Sequence, residues 1–312
     1  MKNKILITLI LLSLFACKGQ IKSNKNITTM EDIIEEIYNN VEQYEKRPVY
    51  SVQVNKSGCR LILEMEGEDY RLLENNGESM MLPLNYMLIN SGIKELKIRV
   101  FPKEGEVFLS SYTQVGLILY FSPDKDSRLK DYQKIATFKL PEDIAEQKLP
   151  YYEGVITFKA EVPFDYSQDL EDAVNIEKLK SIEKKLVRKY NELREMCINN
   201  DVIDYNKRQI HSSIIVYNTS YENTIEEIEK SESTILSMVD SRLENKEVLP
   251  IENYIIQFYA EGKIVALWQK DLNPMLYVKG THTNTEGFTR KYESGDAIFL
   301  YMPKGSKELK MW

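Results

Sequence analysis

The spacing of apolar residues changes along this chain between a helical period and a period of two, and these changes are the strongest constraint on its fold. Between Val49 and Val162 apolar side chains alternate with polar ones, as Leu96, Ile98 and Val100 do. A period of two is typical of strands with one buried face. Proline-containing and Asn-Gly turn signals separate six or seven such runs. We therefore predict an antiparallel β-sandwich over residues 29–163, including a leading helix.

One stretch of this segment has a recognisable pattern. Leu82–Asn85 reads Leu-Pro-Leu-Asn, and Asn90–Val100 reads Asn-Ser-Gly-Ile-Lys-Glu-Leu-Lys-Ile-Arg-Val. This order of an asparagine, a glycine and an extended strand resembles jelly-roll and immunoglobulin-like β-sandwich binding modules. The resemblance covers fewer than twenty residues, and it implies a sandwich fold rather than a ligand.

The second half of the chain begins with helical periodicity. Apolar residues step by three and four from Leu179 to Cys197, which is typical of one face of a helix. We predict helices over 30–46 and 166–199, a strand over 209–217, a second helix or broken pair over about 221–245, and β-structure over 254–312. The fold class is therefore α+β: an N-terminal antiparallel β-sandwich, a helical middle segment and a C-terminal antiparallel β region. The second domain spans 164–312.

The first seventeen residues carry a targeting signal. Lys2 and Lys4 precede an apolar run from Ile5 to Ala16, which is shorter than the roughly 20 residues that span a bilayer. A basic start, a short apolar core and a small final residue are typical of a secretory signal peptide. We predict a signal peptide over residues 1–16 and a polar tether over residues 17–28.

The end of this run, Leu14-Phe15-Ala16-Cys17, resembles the lipobox of bacterial lipoproteins. The resemblance implies that Cys17 is acylated, for example with palmitate, and becomes the first residue of a membrane-anchored protein. Position 18 is lysine rather than the aspartate that retains lipoproteins in the inner membrane of enteric bacteria. This favours the outer membrane, with the folded part on its periplasmic or surface face. The alternative is an ordinary signal peptide with an incidental cysteine.

Charge excludes one class of partner. The chain has a formal charge of −7, and loss of Lys2 and Lys4 with the signal peptide would make it −9. Proteins that bind nucleic acid need a basic surface to displace counterions. We therefore predict no nucleic-acid partner.

Two cysteines remain besides Cys17, namely Cys59 and Cys197. In an oxidising compartment they could form a disulfide. The alternative is two buried free thiols, since free cysteine is among the most buried residue types. The sequence leaves both alternatives open and favours the thiols slightly, because Cys59 lies in a predicted strand and Cys197 on a distant predicted helix.

No catalytic motif is evident. HExxH, CxxC, a glycine-rich phosphate loop and GxSxG are all missing, and the only histidines are His211 and His282. We interpret His211 as a structural residue of a strand. His282 lies in a polar loop, residues 280–287, with Glu286, where it could bind a ligand, hold a metal or serve as a general base. The alternative is a loop residue without a site role, since one histidine and one carboxylate do not make a site. The sequence predicts no metal site and no cofactor.

Two groups of side chains could form binding surfaces. Exposed aromatic rings near predicted strand ends are common in glycan-binding modules, and four tyrosines have such positions: Tyr112, Tyr120, Tyr151 and Tyr152. The alternative is that they are half-buried sheet residues. The middle of the predicted helix over 166–199 is basic, through Lys178, Lys180, Lys184, Lys185, Arg188 and Lys189. It is either a solvated outer face or a docking face for an anionic partner or lipid headgroup.

These observations favour a lipid-anchored binding protein of the cell envelope without catalytic activity. Its ligand would be a glycan, an envelope partner or a toxin. The alternative is an envelope hydrolase that cleaves glycan or peptidoglycan with two carboxyl groups, for which 48 acidic residues offer candidates. A cleft with two acids of perturbed pKa is the feature that would favour the hydrolase.

Overall fold

The computed structural model describes residues 26–234 and 237–312, and within them antiparallel sheets flank a helical middle segment. The α+β class is thereby confirmed. The helices are α1 Met30–Tyr38, α2 Ser167–Asp172, α3 Ile182–Asn199, α4 Val202–Ser220 and α5 Ile225–Thr234. The strands of the first half are β1 Val49–Ser57, β2 Cys59–Glu64, β3 Asp69–Leu72, β4 Glu78–Pro83, β5 Gly92–Pro102, β6 Gln114–Ser122, β7 Gln133–Lys139 and β8 Tyr152–Ala160. The strands of the second half are β9 Glu244–Val248, β10 Tyr254–Tyr259, β11 Ile264–Gln269, β12 Leu276–Thr283, β13 Thr289–Asp296, β14 Leu300–Tyr301 and β15 Lys310–Met311. The predicted signal peptide and Cys17 lie outside the described residues.

The first eight strands form two four-stranded sheets that share one core. The strand orders are β4-β1-β6-β7 and β3-β2-β5-β8. Alternation explains the burial: Leu96, Ile98 and Val100 of β5 are fully buried, while the intervening Lys97 is exposed. In the register, Leu61 pairs with Val100, so apolar residues of neighbouring strands point into the same core. This is the predicted antiparallel sandwich.

The turn between β1 and β2 requires a glycine. Gly58 has a φ of +62°, and a Cβ placed there would lie 2.5 Å from the carbonyl oxygen of Tyr112. Both the backbone angle and the close approach exclude a larger residue. The turn therefore connects the two sheets in one step.

The second half contains two further sheets, covered by α3. Their strand orders are β10-β11-β14-β15 and β13-β12-β9. The predicted apolar stripe of α3 is buried, and Tyr190 on it is fully enclosed. Its hydroxyl donates to the carbonyl oxygen of Ile298 and accepts from the amide of Leu267, both at 2.8 Å. The buried hydroxyl is satisfied, so Tyr190 fixes α3 against both β11 and the chain before β14.

One element of the helical middle is a helix where the sequence predicts a strand. Residues 209–217, predicted as a strand, lie in α4. Ile210, Ile214 and Tyr217 follow one another at helical spacing and pack in one apolar cluster with α1 and α5. A short run with apolar residues at every second position fits a strand and a buried helix equally well, and packing decided for the helix.

The other predicted helices are shorter than expected. The leading helix ends at Tyr38 rather than at residue 46, and the helix predicted over 221–245 is confined to α5. The helix predicted over 166–199 is interrupted: the chain forms α2 and a 3-10 turn, Ile176–Lys178, before α3. Helix ends depend on local capping and packing, which apolar spacing alone does not specify.

Both cysteines are free thiols buried in different cores. Cys59 belongs to the sandwich core, and Cys197 to the core between α3 and the second pair of sheets. Desolvation raises the pKa of Cys59 to about 11 and that of Cys197 to about 12. Both thiols are therefore protonated and unreactive in the folded protein at neutral pH.

A buried ion pair joins the sandwich to the C-terminal sheet. The side chains of Asp69 and Arg71 on β3 are almost fully enclosed and 2.9 Å apart. Arg71 also donates to the side chain of Gln257 and to the carbonyl oxygen of Leu272, at 2.9 and 3.0 Å. Its guanidinium lies 3.2 Å from the centre of the Trp268 ring, where cation–π attraction adds to the pairing.

Asp69 receives further hydrogen bonds from across the junction. Tyr259 donates its hydroxyl to Asp69 at 2.7 Å and accepts one from the indole of Trp268 at 3.0 Å. The neighbouring Glu68 is different, because desolvation and the charge of Asp69 raise its pKa to about 8. Glu68 is thus mostly neutral at pH 7.

Replacement of Arg71 by methionine should destabilise the protein by about 3 to 5 kcal/mol, because the buried Asp69 would lose its close cationic partner and keep, among the described residues, only Arg99, which is 3.7 Å away. Urea denaturation followed by circular dichroism measures this loss. The control is Arg128→Met, since Arg128 is exposed and its replacement should change the free energy of unfolding by less than about 0.5 kcal/mol. Equal stability of the two variants would contradict the assigned role of Arg71.

Candidate functional site

A cleft of about 570 Å³ opens between α4, the end of α5, the segment 237–242 and the end of β13. This volume lies within the range of small-molecule sites, about 300 to 1,000 Å³. Only four of its twenty lining residues are aliphatic: Met30, Val202, Val216 and Met238. The remainder are tyrosines, serines, amides and charged residues. The cleft is therefore suited to a polar ligand.

One stripe of α4 forms the floor of the cleft. Asn206, Gln209 and Ser213 follow one another at steps of three and four and line it together, because such residues lie on one face of a helix. The adjacent face, with Ile210 and Ile214, packs on α1 and α5. One residue of this polar stripe already has a partner within the helix, since the amide of Asn206 donates to the carbonyl oxygen of Val202 at 2.9 Å. The side chain of Gln209 has no hydrogen-bond partner among residues 26–234 and 237–312.

Asp296 is the most unusual carboxyl group of the cleft. The buried hydroxyl of Tyr205 donates to its Oδ2 at 2.7 Å, while its Oδ1 has no hydrogen-bond partner in the described part of the chain. Desolvation raises the pKa of Asp296, and the hydrogen bond from Tyr205 offsets part of this rise. The free oxygen can accept a hydrogen bond from a ligand, or donate one when the carboxyl is protonated.

A second acid in the cleft has the opposite shift. Asp240 is held by the guanidinium of Arg242, whose Nε lies 3.0 and 2.9 Å from its two carboxylate oxygens. Arg242 lowers the pKa of Asp240, and the backbone amide of Arg242 and the nearby His282 contribute to this. Both carboxylate oxygens are occupied, so Asp240 orients Arg242 toward the cleft rather than offering a free acceptor.

Charge in the cleft is unbalanced. Four carboxylates line it, from Glu222, Glu232, Asp240 and Asp296, against the single guanidinium of Arg242. Glu232 accepts a hydrogen bond of 2.7 Å from the hydroxyl of Tyr217. The cleft is thus acidic, and it repels phosphate and other anions.

The tyrosines singled out from the sequence do not line this cleft. Tyr112 is exposed in the loop between β5 and β6, and Tyr151 is partly exposed and stacks on Phe101, with ring centres 6.2 Å apart. Tyr120 is half-buried beside Tyr132, and Tyr152 is half-buried beside Phe138. The structure brings Tyr112 and Tyr151 to the end of the sandwich formed by the β1–β2 turn, while Tyr120 and Tyr152 occupy the half-buried positions of sheet residues.

Neither histidine lines the cleft, although His282 lies near Asp240. His282, expected in a polar loop, lies within β12 opposite Arg290, because strands β12 and β13 pair as far as Thr283 and Thr289. His211 lies on α4 rather than in a strand, and its Nε2 is 3.1 Å from the hydroxyl of Tyr301. Burial lowers the pKa of His211 to about 4, so it is neutral at physiological pH.

Comparison with protein-family models, curated protein sequences and solved structures found no match to this chain. Among the described residues, no helix combines the length and apolar character needed to cross a membrane. Within the same ranges, no group of three or more histidine, cysteine or acidic side chains could hold a metal ion.

The residues of the cleft were missed at the level of sequence for an identifiable reason. Asn206, Gln209 and Ser213 form a polar stripe only on a helix, whereas the sequence predicts a strand over 209–217 and places Asn206 in no element. Recognition of the helical alternative would have revealed the stripe. The pairing of Tyr205 with Asp296 joins residues 91 positions apart, and no local pattern indicates it.

Replacement of Asp296 by asparagine should stabilise the protein at pH 7. Because the folded state raises the pKa of Asp296 above its ordinary value of 3.8, the ionised carboxylate opposes folding at neutral pH. The amide can still accept the hydrogen bond of Tyr205. The gain should shrink as the pH falls through the raised pKa of the folded state towards 3.8, and it should vanish only below 3.8, where the wild-type carboxyl is protonated in both states.

Urea denaturation at pH 7 and pH 4 measures this difference. Asp131→Asn is the matched control, since Asp131 is exposed and its replacement should change stability little at either pH. A loss of stability in Asp296→Asn at pH 7 would show that Asp296 is a structural residue.

Proposed function

We propose that this chain is a lipid-anchored binding protein of the cell envelope whose cleft holds a glycan. The observation that carries the proposal is the composition of the cleft, where six serines, two amides and three tyrosines surround Asp296. A saccharide presents many hydroxyl groups that each donate and accept, and serine, amide and carboxyl groups match them. An apolar ligand would leave these groups unpaired, at a cost of about 1 to 3 kcal/mol each.

Tyrosine suits the same ligand. Tyr292 lines the cleft and is half-buried, so part of its ring can lie against the C–H face of a sugar while its hydroxyl remains in a polar setting. Tyr205 and Tyr217 use their hydroxyls on Asp296 and Glu232. These two tyrosines hold the carboxyl groups in fixed positions before a ligand arrives, which reduces the entropy lost on binding.

The charge of the cleft restricts the glycan. With four carboxylates against one guanidinium, a phosphorylated or carboxylated sugar would be repelled. A neutral sugar, or an amino sugar whose ammonium pairs with Asp296, fits this potential. We therefore assign the cleft to neutral and amino-substituted saccharides.

The position of the cleft is compatible with an anchor at Cys17. Met30 of α1 lines the cleft, and Ile27 packs against the apolar cluster formed by α1, α4 and α5. About ten residues separate Cys17 from the first described residue, and at roughly 3.5 Å per residue they span at most about 35 Å. An anchored protein would thus hold the side that carries the cleft close to the membrane surface.

A sugar titration tests the proposal. We expect at least one of maltose, cellobiose and the disaccharide of glucosamine to bind the full chain in isothermal titration calorimetry. Gln209→Leu should weaken binding about tenfold, because the apolar side chain removes a free amide from the floor of the cleft. Gln133→Leu changes an exposed glutamine on β7 and should leave affinity unchanged. If none of the three sugars binds, the proposal is wrong.

A hydrolase is the second candidate, because the cleft holds two acids whose pKa values are shifted in opposite directions. Such pairs serve as general acid and base in glycosidases. The occupation of Asp240 by Arg242 favours binding over catalysis. The assay is the release of reducing ends from the same sugars by the wild-type protein. Release that is lost in Asp296→Asn and retained in Asp131→Asn would favour the hydrolase.

Replacement of Cys17 by serine tests the anchor. The thioether and amide-linked chains can form only on a cysteine at the new amino terminus, so Cys17→Ser should abolish incorporation of radiolabelled palmitate and release the protein from the membrane fraction. Lys18→Ser, which keeps the cysteine, should still be labelled. Labelling that persists in Cys17→Ser would contradict the lipoprotein assignment.

A further inference from the structure

A second concave surface lies on the outer side of α3 and has the opposite charge. It encloses about 200 Å³ between α3, α4 and the turn that connects β14 to β15. Its lining includes five cationic side chains, from Lys185, Arg188, Lys189, Arg208 and Lys307. We name these five residues the basic cleft.

The basic cleft shows which of the basic residues predicted on the helix over 166–199 lie together. Of the six basic residues noted in the sequence, Lys185, Arg188 and Lys189 line it, and the structure adds Arg208 from α4 and Lys307 from the β14–β15 turn. A solvated outer face would carry cations of one helix alone. Convergence of cations from three elements on one concavity is what an anion site requires.

Lys189 and Arg208 lie close enough for their like charges to repel each other. The side chain of Lys189 is only 11% exposed, and desolvation, followed by the nearby charge of Arg208, lowers its pKa. Arg208 itself makes no hydrogen bond or ion pair with any described residue. Crowding of like charges in a partly buried place opposes folding unless a counterion relieves it.

The acidic side chains nearby provide only part of this relief, because Glu192 and Glu308 raise the pKa of Lys189 but desolvation and Arg208 outweigh them. Glu192 is the nearest acid, and its carboxylate lies 3.7 Å from Nε of Arg188 and 3.5 Å from Nζ of Lys189, both longer than a good charged hydrogen bond. Lys185 donates instead to the neutral carbonyl oxygen of Lys307, at 2.9 Å. Five cations thus face two acids, Glu192 and Glu308.

We propose that the basic cleft binds a phosphate-type oxyanion. The guanidinium groups of Arg188 and Arg208 can each donate two parallel hydrogen bonds to such a group, and Lys189 adds a charge at the base of the cleft. The same chemistry is offered by a soluble phosphorylated compound and by the headgroup of an anionic phospholipid. The site is independent of the acidic cleft, which repels anions.

Titration with inorganic pyrophosphate tests the site. We expect the full chain, in non-ionic detergent, to bind pyrophosphate in isothermal titration calorimetry, and Arg208→Gln to weaken binding about tenfold. Arg208 is exposed, so the variant should fold normally, and its thermal midpoint confirms that. Arg128→Gln removes an exposed arginine elsewhere and should bind like the wild type. Failure of the wild type to bind, or equal binding by Arg208→Gln, would overturn the proposal.

A competition experiment distinguishes the two sources of the oxyanion. The chain is placed in vesicles of phosphatidylcholine alone or with added phosphatidylglycerol, and pyrophosphate binding is measured again. Loss of binding with phosphatidylglycerol only would assign the site to a lipid headgroup. Retained binding in both vesicles would assign it to a soluble phosphorylated compound. Either outcome presupposes that pyrophosphate binds to the basic cleft in detergent.

Discussion

The Arg71–Asp69 ion pair is the contact on which the arrangement of the two halves depends. Both side chains are almost completely enclosed, and a buried charge is tolerated only when its partners are all in place. Those partners come from β3 on one side and from the chain around β10 and β11 on the other, through Gln257 and Trp268. An apolar contact could slide by a few ångströms without large loss. Directional bonds to buried charges cannot, so this pair sets the position of the sandwich relative to the C-terminal sheets.

Helix α4 is fixed by the same arrangement, because it contacts both halves. The amide of Asn85, in the sandwich, donates to the carbonyl oxygen of Thr219 at 3.2 Å, and His211 stacks on Tyr301 of β14 with ring centres 5.3 Å apart. The helix therefore has a defined rotation about its axis. Gln209 of the acidic cleft and Arg208 of the basic cleft are consecutive residues, so they lie about 100° apart around it. A chain of net charge −7 thus presents an acidic and a basic concavity on adjacent sides of one helix, which net charge alone does not reveal.

Sequence patterns predicted the elements whose periodicity is long or well punctuated. The alternation from Val49 to Val162 and the stripe of α3 both extend far enough to be unambiguous, and prolines separate the strands. The segment around Ile210 is short and apolar at every second position, which a strand and a buried helix share. The candidate site depends on that segment and on the long-range pair of Tyr205 and Asp296. The polar stripe is not visible when its segment is taken as a strand. A contact across 91 residues leaves no trace in local spacing.

Some buried polar groups of this protein have all their hydrogen-bond partners within the described part of the fold, and others do not. Tyr190 uses its hydroxyl both as donor and as acceptor, and His211 has Tyr301 as its partner, so both complete the core. Asp296 has one oxygen bonded to Tyr205 and the other open to the cleft, and the fold raises its pKa rather than stabilising its charge. An asparagine would serve the fold better at that position, because it keeps an acceptor for the hydroxyl of Tyr205 without the charge. A carboxyl group that opposes folding and lines a polar cavity is the kind of group that the proposed glycan site needs.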